Sequence, residues 1–242
     1  FSEIERTDAN YISYITKYSR HGIGKDKDVI IDEFKVLTEE FLVNRYDVQL
    51  YDSVYHELNT AIPRKEITDE ISFIYNYERA RILYNKQQYD KAYPFIDGAY
   101  QINKRNVDVQ HLLTAILFNR MSNIQTGEQQ LDSLSQYVEK YPFLSENEDF
   151  VRVKLNIYLY LMYNGFETYN PETGNSYREK FEKEYAPYHF PRLQELISAA
   201  YGTAGKYYFK RGQYQKAKKV MEAGLELVPN SIELQQRIRA LQ

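Results

Sequence analysis

The stretch that decides the fold runs from Ser198 to Ser231 and reads SAAYGTAGKYYFKRGQYQKAKKVMEAGLELVPNS. Large and small side chains recur in it at the three- and four-residue spacing of a helix, not at the two-residue spacing of a strand. The pattern therefore predicts two helices joined by a turn. Its large and small positions are Tyr201, Ala204, Gly205, Tyr208, Gly212, Tyr214, Ala217, Met221, Gly224, Leu225 and Pro229.

The spacing assigns a role to each part of this stretch. Tyr201, Ala204 and Tyr208 fall at i, i+3 and i+7, so they share one face of a first helix. Gly212 lies where the chain must turn, and a residue without Cβ adopts positive φ there without strain. Small residues on the second helix then receive the large side chains of the first. Pro229 ends the pair because proline cannot continue a helix. An ordinary helical hairpin would show the same features.

A second stretch, 73–106, repeats the pattern 125 residues earlier. Gln88-Tyr89-Asp90-Lys91-Ala92 parallels Gln213-Tyr214-Gln215-Lys216-Ala217, and Ala80 aligns with Gly205. This copy has Gln87 in place of the turn glycine and Lys104 in place of the closing proline. On these residues the chain resembles the tetratricopeptide repeat family over 73–106 and 198–231.

The resemblance implies an all-α, right-handed superhelical stack of antiparallel helix pairs, an α-solenoid closed by a C-terminal capping helix. We expect one repeat domain over 1–242, with about five pairs. Its parts would be divergent helix pairs over 1–72, repeats over 73–106 and 107–142, an irregular pair over 143–197, the repeat over 198–231 and a cap over 232–242. Pro63, Pro142, Pro187 and Pro229 are predicted helix stops. Asn170 to Asn175, which contains Pro-Glu-Thr-Gly, is predicted to be an exposed loop.

Composition excludes several other classes of protein. The chain has 242 residues, 43% of them hydrophobic, and no cysteine, so disulfide and thiol chemistry are excluded. A net charge of −3 and a pI near 5.9 do not favour nucleic acid as a partner. The 25 tyrosines, with no tryptophan, suit half-buried helix interfaces, and a carbohydrate- or base-stacking role is the alternative.

Motifs for catalysis, metals and cofactors do not emerge. The four histidines, His21, His56, His111 and His189, lack metal-ligand spacing. The segment 21–25 has glycines and a lysine but no Gly-Lys-Ser/Thr ending, so it reads as an interhelical turn. We therefore expect that the protein is not an enzyme and that it binds neither a cofactor nor a metal ion. No apolar stretch is long enough to span a bilayer and no signal peptide is visible, which slightly favours a cytoplasmic protein.

The last repeat carries an unusual number of cations: Lys206, Lys210, Arg211, Lys216, Lys218 and Lys219. A solvated face partly paired with Glu222 and Glu226 would explain them. The more specific hypothesis is that these cations bind an acidic peptide.

The resemblance also implies which residues contact a partner, because the first helix of each pair lines the concave groove of the family. The positions carried over are Tyr77, Arg81, Asn85, His111, Asn119, Lys206 and Lys210. Some members hold a peptide's C-terminal carboxylate with a Lys/Asn clamp. Here those positions hold Tyr77 and Arg81, or Gly202 and Lys206, so the clamp pattern is not reproduced.

The resemblance implies a non-catalytic scaffold or adaptor that binds a protein or peptide in its concave groove. The more specific hypothesis is that this partner is acidic. The alternative is a regulatory or sensor segment of a larger multidomain protein. The start at Phe1 instead of methionine keeps that alternative open.

Overall fold

The computed structural model describes residues 27–124, 126–185, 188 and 190–241. Within these ranges the chain forms eleven α-helices and no strand, and 84% of the residues are helical. The helices pack in adjacent pairs, which confirms the predicted all-α stack of helix pairs. The predicted turn at 21–25, His189 and the stop at Pro187 lie outside the described residues.

The boundary between two compact units falls between Arg120 and Met121. The helices of the first unit are α1 (Lys27–Glu39), α2 (Val48–Ala61), α3 (Lys65–Asn85), α4 (Tyr89–Ile102) and α5 (Val107–Met121), the last ending one residue past the boundary. Those of the second are α6 (Gly127–Lys140), α7 (Glu148–Glu167), α8 (Pro171–Tyr185), α9 (Gln194–Phe209), α10 (Tyr214–Leu227) and α11 (Ile232–Arg239). A π-helical turn, Glu40–Asn44, follows α1, and 3-10 turns span Pro142–Glu146 and Pro191–Leu193.

In the first unit α3 is the central helix, since α1, α2 and α4 all pack against it. Phe34, Tyr51 and Ile71 are fully buried where α1, α2 and α3 meet. The buried Tyr51 hydroxyl lies 3.1 Å from the Thr38 hydroxyl, so its polar atom is hydrogen-bonded inside the core. Pro63 lies in the connection between α2 and α3, as predicted.

In the second unit the hairpins α7–α8 and α9–α10 make the most extensive pairings, and α9 also packs on α7. Helix α6 packs on α7, while α11 packs on α9 and α10. Helix α6 ends just before Pro142, and α10 ends just before Pro229, so both predicted stops are confirmed. That all these helices act as one repeat domain over 1–242 stays a prediction.

Three hairpins share one turn conformation, although only one of them has the turn glycine. Gln87, Tyr169 and Gly212 have φ of 57°, 63° and 69°. In each turn the next residue donates its N–H to the carbonyl five residues back, over 2.7–3.0 Å. This pattern closes a helix with a left-handed residue and satisfies carbonyls that the helix leaves free. The turn of 73–106 is therefore the same as that of 198–231, with Gln87 in the place of Gly212.

Small residues set the approach of α9 and α10. A Cβ on Gly205 would lie 2.5 Å from Met221 Cγ, and a Cβ on Gly224 would lie 2.6 Å from Tyr201 Cβ. Each glycine thus contacts a large side chain of the opposite helix, which confirms the prediction that Gly224 receives a side chain of the first helix. Ala217 and its counterpart Ala92 are both fully buried, which confirms their predicted place in the core.

The predicted loop at 170–175 is wrong. Pro171 is the first residue of α8, and the Asn170 side chain accepts a hydrogen bond from the Thr173 N–H at 3.2 Å. Proline is favoured at the first position of a helix, because the N–H group that proline lacks would have no hydrogen-bond partner within the helix there. Gly174 is buried where α8 crosses α7. Its backbone N lies 2.6 Å from the position that a Cβ on Gly165 would take. Gly174 therefore allows α7 and α8 to approach closely, and the turn between these helices lies at 168–170.

Candidate functional site

In the first unit the three predicted residues of α3 lie four residues apart, so they share one side of the helix. Arg81 lines a groove of about 300 Å³ between α3 and the end of α1. Its guanidinium is paired with Glu78, whose Oε2 lies 2.6 Å from Nη2. Asn85 is exposed at the last position of α3. The charge of Arg81 is thus compensated within its own helix.

Tyr77 is half-buried and its ring stacks on Phe73, with centroids 6.4 Å apart and planes 6° apart. Burial raises the pKa of the Tyr77 hydroxyl, and the nearby negative charge of Asp108 on α5 adds to the rise. The hydroxyl therefore stays protonated at neutral pH and can act as a hydrogen-bond donor.

The two predicted residues of α5 differ in availability. His111 is exposed. Asn119 is half-buried and donates its amide N–H to the Ala115 carbonyl at 2.8 Å, so part of its side chain is already engaged.

In the second unit Lys206 and Lys210 lie one turn apart at the C-terminal end of α9, and both are exposed. Among the described residues, neither lysine has a carboxylate within ion-pair distance. The negative end of the α9 dipole favours cations there, so the fold stabilises them without a partner. Lys206 lines a groove of about 170 Å³.

Helix α11 forms the opposite wall of this groove. The Ser231 hydroxyl caps α11 by accepting the Leu234 N–H at 3.3 Å, while Leu234 and Ile238 are buried. This arrangement confirms that one apolar side of the helix packs against the repeat. Its polar side brings Arg237 to the groove.

Arg237 is a groove residue that sequence reasoning missed. It pairs with Glu233 at 2.8 Å, and the pair lies over Gly202, where a Cβ would be 3.2 Å from Glu233 Oε1 and 3.5 Å from Arg237 Nε. The sequence signal was present as an acid–base pair one helical turn apart, at 233 and 237, but only the packing of α11 shows that it covers Gly202.

A larger cavity of about 570 Å³ lies among α6, the 3-10 turn after it, α7 and α8. Leu134, Val138 and Phe150 give it an apolar lining. Its charges are largely balanced, because Lys154 pairs with Glu184 at 2.7 Å, and Glu184 also accepts a hydrogen bond from Tyr158. No sequence motif pointed to this cavity, since its lining comes from four separate elements.

The described part of the chain shows neither a metal centre nor a membrane-spanning helix. It contains no group of three or more His, Cys, Asp or Glu side chains arranged to hold a metal ion. None of the described helices is both long and apolar enough to cross a membrane.

Comparison with known proteins agrees with the geometry of the α9–α10 hairpin. The family model for the tetratricopeptide repeat matches residues 198–231. A search of curated protein sequences found no match to the chain. Repeats of this family stack helix pairs into binding surfaces and are in general non-catalytic scaffolds. Residues 198–231 therefore match one tetratricopeptide repeat within a chain of paired helices, and such a repeat suggests a protein–protein interaction module.

Proposed function

We propose that the chain is a non-catalytic scaffold or adaptor that binds an acidic segment of a partner protein at the α9 groove. The observation that carries the proposal is the pair Lys206 and Lys210. These two exposed cations lie one turn apart on the first helix of the repeat, with no carboxylate of the described residues to neutralise them.

The chemistry of the groove favours an acidic partner over a neutral one. Opposite charges across an interface guide association and select the partner, although each exposed pair adds little affinity. The overall charge of −3 repels polyanions at long range. A short acidic segment that reaches only this groove meets the local cations without that full repulsion.

The five predicted residues of the first unit are a second proposed contact surface for the partner, and this surface is mainly polar and not positively charged. Tyr77 offers a hydroxyl donor, and Asn85 and His111 offer exposed polar groups. Asn119 has part of its amide committed to its own helix. Arg81 must exchange Glu78 for a partner's carboxylate, so it gains less from an acidic segment than Lys206 does.

Charge reversal tests the proposal. The double variant Lys206→Glu/Lys210→Glu should bind an oligoglutamate peptide about tenfold more weakly than the wild type, and its affinity should depend less on salt. The control Lys216→Glu/Lys219→Glu makes the same change in net charge on α10, whereas the test variant changes the groove residue Lys206 together with Lys210 one turn further along. Isothermal titration at two salt concentrations measures both effects.

Equal losses in the two double variants would mean that the peptide senses only net charge, and unchanged binding in the first would remove both lysines from the site. A single-stranded oligonucleotide of the same charge serves as the second probe. We expect it to bind more weakly than the peptide.

A further inference from the structure

We infer that the groove between α9 and α11 holds one aliphatic side chain of the acidic segment, with a neighbouring carboxylate between Lys206 and Arg237. The inference rests on the proposed function and names the chemistry of the segment: an aspartate or glutamate beside a leucine- or methionine-sized residue.

The floor of the groove is apolar and small. Met221 lies deep in it because Gly205 has no Cβ, and Phe209, Ala240 and Leu241 complete the apolar lining. Phe209 is 47% exposed, so its ring is available to a partner. At about 170 Å³ the groove has room for one side chain of leucine or methionine size. A polar side chain would lose its water there without gaining a hydrogen bond from the apolar floor.

The rim of the groove is positive. Lys206 stands on one wall and Arg237 on the other, and none of the described residues that line the groove carries a carboxylate. Glu233 compensates Arg237 from the side of Gly202, outside the lining. One positive charge therefore remains uncompensated, which matches a single carboxylate of the bound segment. Exposed lysine and arginine groups of this kind hold a carboxylate through charge-assisted hydrogen bonds.

Gly202 explains why Arg237 reaches the groove. With no side chain at 202, the Glu233–Arg237 pair lies directly on the surface of α9. The arginine of α11 thus occupies space that a side chain of the repeat's own first helix would otherwise fill. The site is shared by the repeat and its capping helix, and it is complete only when α11 is docked.

Methionine signals give a direct readout, because the chain has three methionines and only Met221 lines this groove. Met121 and Met162 are buried elsewhere and act as internal references. The full chain is labelled with ¹³C-methyl methionine and titrated with Glu-Glu-Glu-Leu-Glu-Glu-Glu, or with the same peptide carrying alanine in place of leucine. We expect the leucine peptide to shift Met221 alone and to bind about tenfold more tightly than the alanine peptide.

Arg237→Gln should weaken the leucine peptide severalfold, whereas Arg239→Gln, on the same helix but outside the groove, should not. An unchanged Met162 signal shows that each variant is folded. If both peptides bind equally through Lys206 and Lys210 and Met221 does not move, the inference is wrong and the proposed function stands. If neither peptide binds, both are wrong.

Discussion

At the scale of single residues, glycines at helix crossings decide how closely the helices approach. Gly224 receives Tyr201, Gly205 receives Met221, and Gly165 faces Gly174. In the first two pairs a small residue meets a large one, so the volumes are complementary. The repeat pattern predicted that Gly224 receives a large side chain of the first helix, whereas the partners of Gly205 and Gly165 emerge only from the packing.

Gly224→Ala should destabilise the protein by about 1–3 kcal/mol. The new Cβ would lie 2.6 Å from Tyr201 Cβ and 2.7 Å from its Cγ, atoms close to the backbone that cannot move aside, so the helices must separate. Gly98→Ala is the matched control, because its Cβ would meet only the terminal amide of Asn76 at 3.0 Å. Alanine's higher helix propensity should make this variant neutral or slightly more stable. Equal urea-unfolding free energies for the two variants would contradict the packing.

Tyrosine hydroxyls form a second residue-scale feature. Tyr75 donates to Asp52 at 2.9 Å, and three further buried tyrosines donate to carboxylates: Tyr158 to Glu184, Tyr177 to Glu128 and Tyr201 to Glu182. The amphipathic ring lets each helix interface bury apolar area and satisfy a carboxylate at its edge. These pairs support the packing interpretation of the tyrosine-rich composition.

Stability should fall as the pH rises above about 10. Burial, followed by the hydrogen bond to Asp52, raises the pKa of Tyr75 to about 12, whereas tyrosine in the unfolded chain has a pKa of about 10. Between these values the unfolded chain loses the proton and the folded chain keeps it, so unfolding is favoured. Below pH 10 the contribution is constant. Urea unfolding measured at a series of pH values tests the prediction.

The control for this prediction is Tyr75→Phe, which cannot ionise at this position. Its unfolding free energy should depend less steeply on pH between about 10 and 12 than that of the wild type. Identical pH dependences would show that Tyr75 ionises equally in the folded and unfolded chains.

At the scale of elements, the turns show which conformations the sequence can predict and which it cannot. Gly212 predicted its turn, because glycine adopts positive φ without strain. Gln87 and Tyr169 adopt the same conformation, held by the backbone bonds to Leu83 and Gly165. A local pattern cannot reveal these two turns, since the helix pair as a whole overrides the preference of the residue.

Replacing Gln87 by glycine should stabilise the protein by about 0.5–1 kcal/mol. A left-handed conformation costs an ordinary residue roughly 1–2 kcal/mol, and glycine's extra entropy in the unfolded chain offsets about 0.5–1 kcal/mol of the relief. Lys91→Gly, inside the following helix α4, is the control, because glycine relieves no strain there and costs about 1 kcal/mol in helix propensity. Thermal unfolding of both variants measures the difference; a less stable Gln87→Gly would argue against the turn.

The segment at 170–175 shows how a sequence signal can have two meanings. Asn-Pro followed by Gly is typical of a turn, but Asn is also a favoured N-cap and Pro a favoured first helical residue. The choice depends on Gly174, which is needed for the contact with α7 and not for a bend. That contact is between residues of different helices, so the local pattern could not supply it.

At the scale of the whole molecule, the resemblance to the repeat family predicted where the first helix of the last repeat lies. It therefore predicted the positions of Lys206 and Lys210 along α9. Arg237 required the packing of α11, and the cavity among α6, α7 and α8 required four elements to be placed together. The net charge of −3 concealed the positive groove, because charges of both signs are spread over the chain. Composition thus describes the average surface, whereas recognition depends on the local one.

Chemical protection of lysines tests the central claim, that an acidic segment binds at the α9 groove, most directly and without any mutation. The intact chain is acetylated briefly, with and without saturating oligoglutamate, and the rate at each lysine is read by mass spectrometry. We predict slower acetylation at Lys206 and Lys210 and unchanged rates at Lys216 and Lys219, all four of which are exposed. Equal protection of all four, or protection of Lys216 and Lys219 alone, would contradict the account.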